Sequence, residues 1–288
     1  MKLCRYDNDR LGLVEGDEVL DVSGALDAIP PRKWPYPHGD ALIANLPAVL
    51  ERAKALAAKA PRRKLSSVQL RTPVANPSKI VNAPINYQKH IAEAKADQGI
   101  AHGREIKTIA DWGLFLKSPS SLAGVADGIR LRFAERRNDH EVELAVVIGR
   151  EANRVKRADA LDYVCGYSIG LDMTVRGPEL PSFRKSVDTY SVLAPWLVTR
   201  DEVPDPGALE LWLTVNGEPR QRASTSAMVY DVPRLIEYAT SFYTLYPGDL
   251  IFSGTPEGVG PVKPGDEIRA GIERIGEFAI RVAPQYAG

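Results

Sequence analysis

The chain's clearest hydrophobic pattern runs from Asp139 to Gly149, where acidic positions give way to apolar ones. From Val142 onward branched apolar residues fill the run and Gly149 ends it, which predicts a buried β-strand. Successive side chains of a strand point to opposite faces. Asp139, Glu141 and Glu143 therefore share one face with Ala145 and Val147, while Val142, Leu144, Val146 and Ile148 line the other. Residues 166–174 predict another buried strand, with a lone Asp172 near its end. Residues 11–14 and 18–22 read as a hairpin turned at Glu15-Gly16-Asp17. In the C-terminal third, residues 209–215 alternate into Asn216-Gly217, a strong hairpin signal, and Pro264-Gly265-Asp266 turns a last hairpin.

Helical spacing is less common. Leu42, Ile43, Leu46, Val49 and Leu50 predict a helix over residues 40–60. Residues 86–96 are good helix formers with Asn86 as the expected N-cap. Shorter helical patterns cover residues 158–164, and residues 232–242 are amphipathic. Pro73 and Pro77 mark a linker, so the pattern divides the chain into a small α+β unit over 1–75 and a main domain over 76–288. The predicted class is α+β, predominantly β.

Composition narrows the function. The 288 residues carry 37 basic and 37 acidic side chains, and this balance argues against nucleic acid as the main partner. The two cysteines, Cys4 and Cys165, are far apart and outside any metal spacing, so a reducing compartment is expected. No apolar run approaches the length of a membrane span, and the N-terminus has no apolar signal core. The reading is a soluble cytoplasmic protein with no membrane partner.

Three features carry candidate chemistry. Carboxylates in register on an apolar strand repel one another and resist desolvation. A hard divalent cation removes both costs, whereas the plain alternative is a half-exposed strand with a wet acidic edge. His90 and Glu93 stand at i and i+3 on one helical face, where Glu93 can orient the imidazole as a general base or simply form a surface ion pair. The loop Gly254-Thr255-Pro256-Glu257-Gly258-Val259-Gly260 lacks the Gly-Lys-Ser/Thr of a P-loop, but its glycines allow close backbone approach to a ligand. Residues 97–112 are polar and read as a loop over a site or an exposed connection.

Taken together, the motifs resemble the fumarylacetoacetate hydrolase family. The resemblance runs from about Lys79 to Val282. It rests on Asn86-Tyr87 with His90 and Glu93, Lys117-Ser118-Pro119-Ser120-Ser121, residues 139–149 and 166–176, Lys185-Ser186-Val187-Asp188, Val215-Asn216-Gly217-Glu218, and the run from Pro247 to Gly260. The resemblance implies a mixed β-roll that usually dimerises, and Mg²⁺ or Mn²⁺ (sometimes Ca²⁺) held by Glu141, Glu143 and Asp172. Asp139, which shares their strand face, then falls behind these ligands. It implies a catalytic His90–Glu93 dyad on a lid. Lys185 and Thr255 would meet an oxyanion or carboxylate, with Lys117, Arg176 and Gly254 as further substrate contacts. The implied substrates are small anionic 2-oxo and 2,4-diketo acids. The leading expectation is C–C hydrolysis of an acylpyruvate; metal-dependent decarboxylation or keto–enol isomerisation, and a non-catalytic β-rich protein with a structural cation, are the competing ones. Three departures bear on the substrate: Pro84 stiffens the turn before the helix, Glu179 stands near an expected glutamine and would repel an anion unless Arg176 or Arg184 neutralises it, and residues 97–111 form an insert.

Overall fold

The computed structural model describes residues 1–103 and 105–283. Among these, the largest sheet has 12 strands. Its path runs through Arg62–Lys64, Glu18–Asp21, Arg10–Glu15, Lys2–Tyr6, Ser191–Thr199, Val164–Asp172, Val142–Ile148, Leu250–Phe252, Ile80–Asn82 and Phe115–Lys117. A five-stranded sheet, in the order Glu218–Ser224, Glu210–Val215, Glu267–Ile272, Gly276–Ala283 and Ile129–Arg130, packs on one face. Thr174–Val175, Asn138–His140 and Gly260–Pro261 make a third, small sheet. The fold is the mainly β, mixed-sheet α+β architecture expected.

The central strand Val142–Ile148 is buried on both sides, which excludes the half-exposed alternative. Val142, Leu144, Val146 and Ile148 share a core with Leu211, Leu213, Ile268 and Ile280 of the five-stranded sheet and with Leu235, Ile236 and Ala239 of the helix Val232–Phe242. Ala145 and Val147 face the other core, built with Ile43, Leu46, Val49 and Ala53 of the N-terminal helices. The predicted alternation is therefore real, but both of its faces are apolar beyond Glu143.

The N-terminal residues extend the same sheet. Leu3 pairs with Leu197 and Lys2 with Val198, so hydrogen bonding runs continuously across the linker at residue 75. The helix predicted over 40–60 breaks at Asn45, just before Pro47, into Ala41–Ala44 and Leu46–Ala57. The Asn216-Gly217 hairpin forms with both residues at positive φ, 51° and 84°, as its turn type requires. Among the described residues no helix is long and apolar enough to cross a membrane.

The helix carrying His90 spans Gln88–Ala96 and is preceded by Tyr87, so Asn86 is not its cap. The Asn86 side chain instead donates to the carbonyls of Tyr230 (2.8 Å) and Ser253 (2.7 Å) and accepts from the Tyr230 amide (2.7 Å). These long-range bonds satisfy the buried amide and fix the start of the helix against the loop that follows Leu250–Phe252.

Candidate active site

Three carboxylates converge where the central sheet meets the small one. The acidic run is not one continuous strand: it changes sheets at Glu141, between Asn138–His140 and Val142–Ile148. The Asp172 amide donates to the Glu141 carbonyl at 2.9 Å, which draws the end of Val164–Asp172 alongside this switch. One oxygen each of Glu141, Glu143 and Asp172 lies within 4.8 Å of the others, and all three residues are buried.

Cations surround the cluster unevenly. Lys185 Nζ bridges Glu141 Oε2 (2.7 Å) and Asp172 Oδ2 (2.6 Å). Lys117 Nζ donates to Asp172 Oδ1 at 2.6 Å and to the Tyr190 carbonyl at 2.7 Å. Arg176 Nη2 and Thr174 Oγ1 donate to Glu141 Oε1 at 3.0 and 3.1 Å. Among the described residues, Glu143 receives only the Gly254 amide, at 2.7 Å. Burial pushes the Glu141 carboxyl up, but Lys185 and Arg176 outweigh it and hold the group below its ordinary range. Glu143 moves the opposite way, raised well above its ordinary value by burial and by the charges of Asp172 and Glu141.

This arrangement fits a hard divalent cation. The donor set is three carboxylate oxygens, and Glu143 lacks the donors that would settle its charge. Asp139 stays outside the cluster. Its oxygens accept from Arg137 Nε (2.8 Å) and Arg176 Nε (2.7 Å), so it acts on Glu141 through Arg176. Arg137 also reaches Asp97 at 2.9 Å, tying the insert to the acidic strand.

His90 is buried beside the carboxylates, and its Nδ1 lies 2.8 Å from Glu93 Oε2. The other Glu93 oxygen accepts the Gly258 amide at 2.9 Å. A carboxylate at Nδ1 makes that nitrogen the donor and leaves Nε2 as the basic atom. The pair is not the surface ion pair that spacing alone allows.

A cavity of about 480 Å³ opens onto this centre. His90, Glu141, Glu143, Arg176, Lys185 and Thr255 form its polar end. The remainder is mostly apolar, with Ile85, Ile100, Ile106, Trp112, Phe115 and Leu180 among its walls. The insert contributes through the helices Gln98–Ala101 and Ile109–Trp112, so it walls the cavity rather than forming a plain connection.

Two expected substrate contacts, Lys117 and Gly254, have other partners, and Glu179 is held away from the cavity. Lys117 is fully buried, does not line the cavity and spends its ammonium on Asp172 and Tyr190, because no water reaches it there. The Gly254 amide is committed to Glu143. Glu179 does not need Arg176 or Arg184. It is clamped by Arg136 at 2.8 and 3.0 Å, which lowers its carboxyl to about 2, and it does not line the cavity. Arg176 and Lys185 do line the cavity while holding the carboxylates, and Thr255 lines it beside them.

Several contributors escape sequence reasoning. Gln221 sits in the strand Glu218–Ser224 of the other sheet yet reaches Thr255 and the Val142 amide. Arg136 and Arg137 precede the acidic strand, but nothing in the order of residues assigns them to Glu179 and Asp97. A single buried glutamine in a strand whose other residues are exposed or half-buried gives no periodic signal.

The Fumarylacetoacetate (FAA) hydrolase C-terminal family model matches residues 79–283. Maleylpyruvate hydrolase of Aquipseudomonas alcaligenes is 56% identical over 284 residues, covering 98% of this chain and 99% of that protein. The crystal structure of maleylpyruvate hydrolase from Sphingobium sp. SYK-6 in complex with manganese(II) ion and pyruvate superposes with a TM-score of 0.83 at 40% identity, covering 99% of this chain and 100% of that one. A 5-carboxymethyl-2-hydroxymuconate delta-isomerase from Mycobacterium smegmatis follows at a TM-score of 0.70 and 29% identity, over 98% of this chain and 99% of its own. Fold, carboxylate cluster and sequence similarity agree over residues 79–283: this chain belongs to the fumarylacetoacetate hydrolase family.

Proposed function

We propose that the protein hydrolyses the C–C bond of an acylpyruvate, a 2,4-diketo acid of the maleylpyruvate type, with Mg²⁺ or Mn²⁺ held by Glu141, Glu143 and Asp172. The observation that carries this reading is the placement of the His90–Glu93 pair and the carboxylate cluster on one cavity. The similarity to maleylpyruvate hydrolases supports it.

When bound, the cation supplies Lewis-acid polarisation to a substrate that chelates through two oxygens. The chain's own residues do the rest. His90 Nε2 takes a proton from water, with Glu93 holding Nδ1–H and the Gly258 amide holding Glu93. The resulting hydroxide adds to the acyl carbonyl. The C–C bond then breaks, its electron pair leaves with the pyruvate half, and that carbon takes up a proton. The products are a carboxylic acid and pyruvate. Lys185 places an ammonium at the polar end of the cavity, where it offsets developing negative charge. Arg176, braced by Asp139, keeps Glu141 oriented. Trp112, Ile106 and Leu180 narrow the access of water.

A purified sample should convert acylpyruvates to pyruvate, lose this activity to a chelator and regain it with Mn²⁺ or Mg²⁺. Absence of turnover, or turnover indifferent to chelation, defeats the reading. Loss of an enol absorbance without pyruvate release would instead favour isomerisation, the activity named for one structural neighbour. The same proposal includes a homodimer, supported by exposed Leu180 and Phe183 beside the cavity mouth, and a reducing, cytoplasmic location, supported by two free cysteines. It keeps residues 1–75 as an N-terminal addition to the family domain, joined to it through the shared sheet, since the family match begins at residue 79.

A further inference from the structure

The hydroxyl of Thr255 has a fixed polarity. Its Oγ1 donates to the Val142 carbonyl at 2.9 Å and accepts from Gln221 Nε2 at 2.8 Å. The orientation of the Gln221 amide follows from its other partners. The Pro256 carbonyl, 2.9 Å from Nε2, only accepts, and the Val142 amide, 3.1 Å from Oε1, only donates. Nε2 must therefore be the donor toward Thr255, and His140 Nδ1, 3.1 Å from Oε1, must carry a hydrogen. A hydroxyl has one hydrogen and two lone pairs. With the hydrogen on Val142 and one lone pair on Gln221, Thr255 retains a single lone pair for the cavity it lines.

We infer that Thr255 meets its ligand as an acceptor, reading an O–H group rather than donating to a carboxylate, and that Gln221 is the positioning residue that sets this polarity. The O–H belongs either to the attacking water or to the enol hydroxyl of the substrate. This inference rests on the acylpyruvate hydrolase reading for its ligand, but not for the hydrogen-bond assignment itself. It reverses the role expected of Thr255 from sequence. It also explains why an uncharged glutamine is buried between the two sheets, within reach of both His140 and the peptide that separates Glu141 from Glu143.

The test uses the full chain with Mn²⁺ and compares Thr255→Val, Thr255→Ser, Gln221→Glu and the Val/Glu double variant. Pyruvate in its keto form at neutral pH carries acceptors only, so its dissociation constant should stay within about twofold of wild type in Thr255→Val. Weakening by about tenfold or more would show that Thr255 donates to a carboxylate, and the inference falls. Turnover by Thr255→Val should drop about tenfold, and Thr255→Ser should restore it. A loss in kcat identifies the water as the O–H donor, and a rise in KM identifies the enol. Gln221→Glu keeps the acceptor for Val142 and His140 and removes the donors to Thr255 and to the Pro256 carbonyl. The share of its loss that passes through Thr255 should vanish in the Thr255→Val background and leave only the share due to the Pro256 carbonyl, whereas fully multiplying losses would overturn the role given to Gln221. Nitrogen NMR at one pH should find the hydrogen of His140 on Nδ1, and finding Nδ1 bare overturns the amide orientation. An inactive wild type defeats the proposed activity alone, because the pyruvate and NMR readouts need no turnover.

Discussion

Asp249 and Glu143 are buried carboxylates at neighbouring strands of one sheet, and they are finished in opposite ways. Asp249 Oδ1 accepts from the Ser78 amide (2.7 Å), the Ser78 hydroxyl (2.7 Å) and the Lys79 amide (2.8 Å), while Oδ2 accepts from the Tyr246 amide (2.8 Å). Every one of these donors belongs to a turn or strand start, so the carboxylate pins the edges of Ile80–Asn82 and Leu250–Phe252 together. Among the described residues, Glu143 has one donor and two carboxylate neighbours. The difference separates an acid that the fold satisfies from one that it leaves short of donors. A buried charge with a full set of donors is part of the fold, and one left short beside like charges awaits a cation.

The largest expected effects come from exchanging these two conditions. Glu143→Gln should lower metal-dependent turnover on the order of a thousandfold, about 4 kcal/mol of transition-state stabilisation, while the metal-free protein melts no lower than wild type. Asp249→Ala should do the reverse, costing about 4 kcal/mol of stability through its orphaned donors, with turnover per folded molecule preserved. Paired melting curves and initial rates check both. Equal losses of stability in the two variants would erase the distinction.

His90→Ala sharpens it further, because His90, the proposed base, lines the same cavity without belonging to the carboxylate cluster. Its kcat should fall about a hundredfold to ten-thousandfold with the Mn²⁺ dissociation constant nearly unchanged. A parallel loss of Mn²⁺ affinity would move His90 into the metal site.

The pH response follows from the sign of the Glu143 shift. Folded metal-free protein keeps a proton on Glu143 above the ordinary carboxyl value of 4.5, where the unfolded chain has lost it. The stability this proton provides is complete below that value and is lost as pH rises through the raised folded-state value. Thermal melts without metal should therefore fall across that window, and Glu143→Gln should flatten the fall. Saturating Mn²⁺ should flatten it too. The smallest effect is expected of Arg136→Ala, which releases Glu179 near the cavity mouth. KM for an anionic acylpyruvate should rise severalfold while kcat holds, as steady-state assays can show.

Much of the fold was legible because its signals are local. Val142–Ile148 and Val232–Phe242 follow from periodicity, and the Asn216-Gly217 turn follows from its demand for positive φ. The site was legible where spacing and family order coincide, as for Glu141, Glu143, Asp172, His90 and Glu93. What stayed hidden depends on where side chains end. Whether Lys117 reaches substrate or Asp172, and whether Asn86 caps its helix or bridges Tyr230 and Ser253, is decided by strands far away in sequence. The burial of the acidic strand from Val142 onward was expected, but the element that covers its second face, the helix Leu46–Ala57 of the N-terminal region, was not. The same holds for Gln221, whose role exists only after two sheets meet.

The central claim is that Glu141, Glu143 and Asp172 await a divalent cation. Calorimetric titration of chelator-treated protein with Mn²⁺, in buffers of different ionisation enthalpy, tests it most directly. One ion per chain should bind with release of a proton from Glu143, and Glu143→Gln should lose most of the affinity and the proton release together. Binding that is absent, or that is unchanged in Glu143→Gln, would contradict the account.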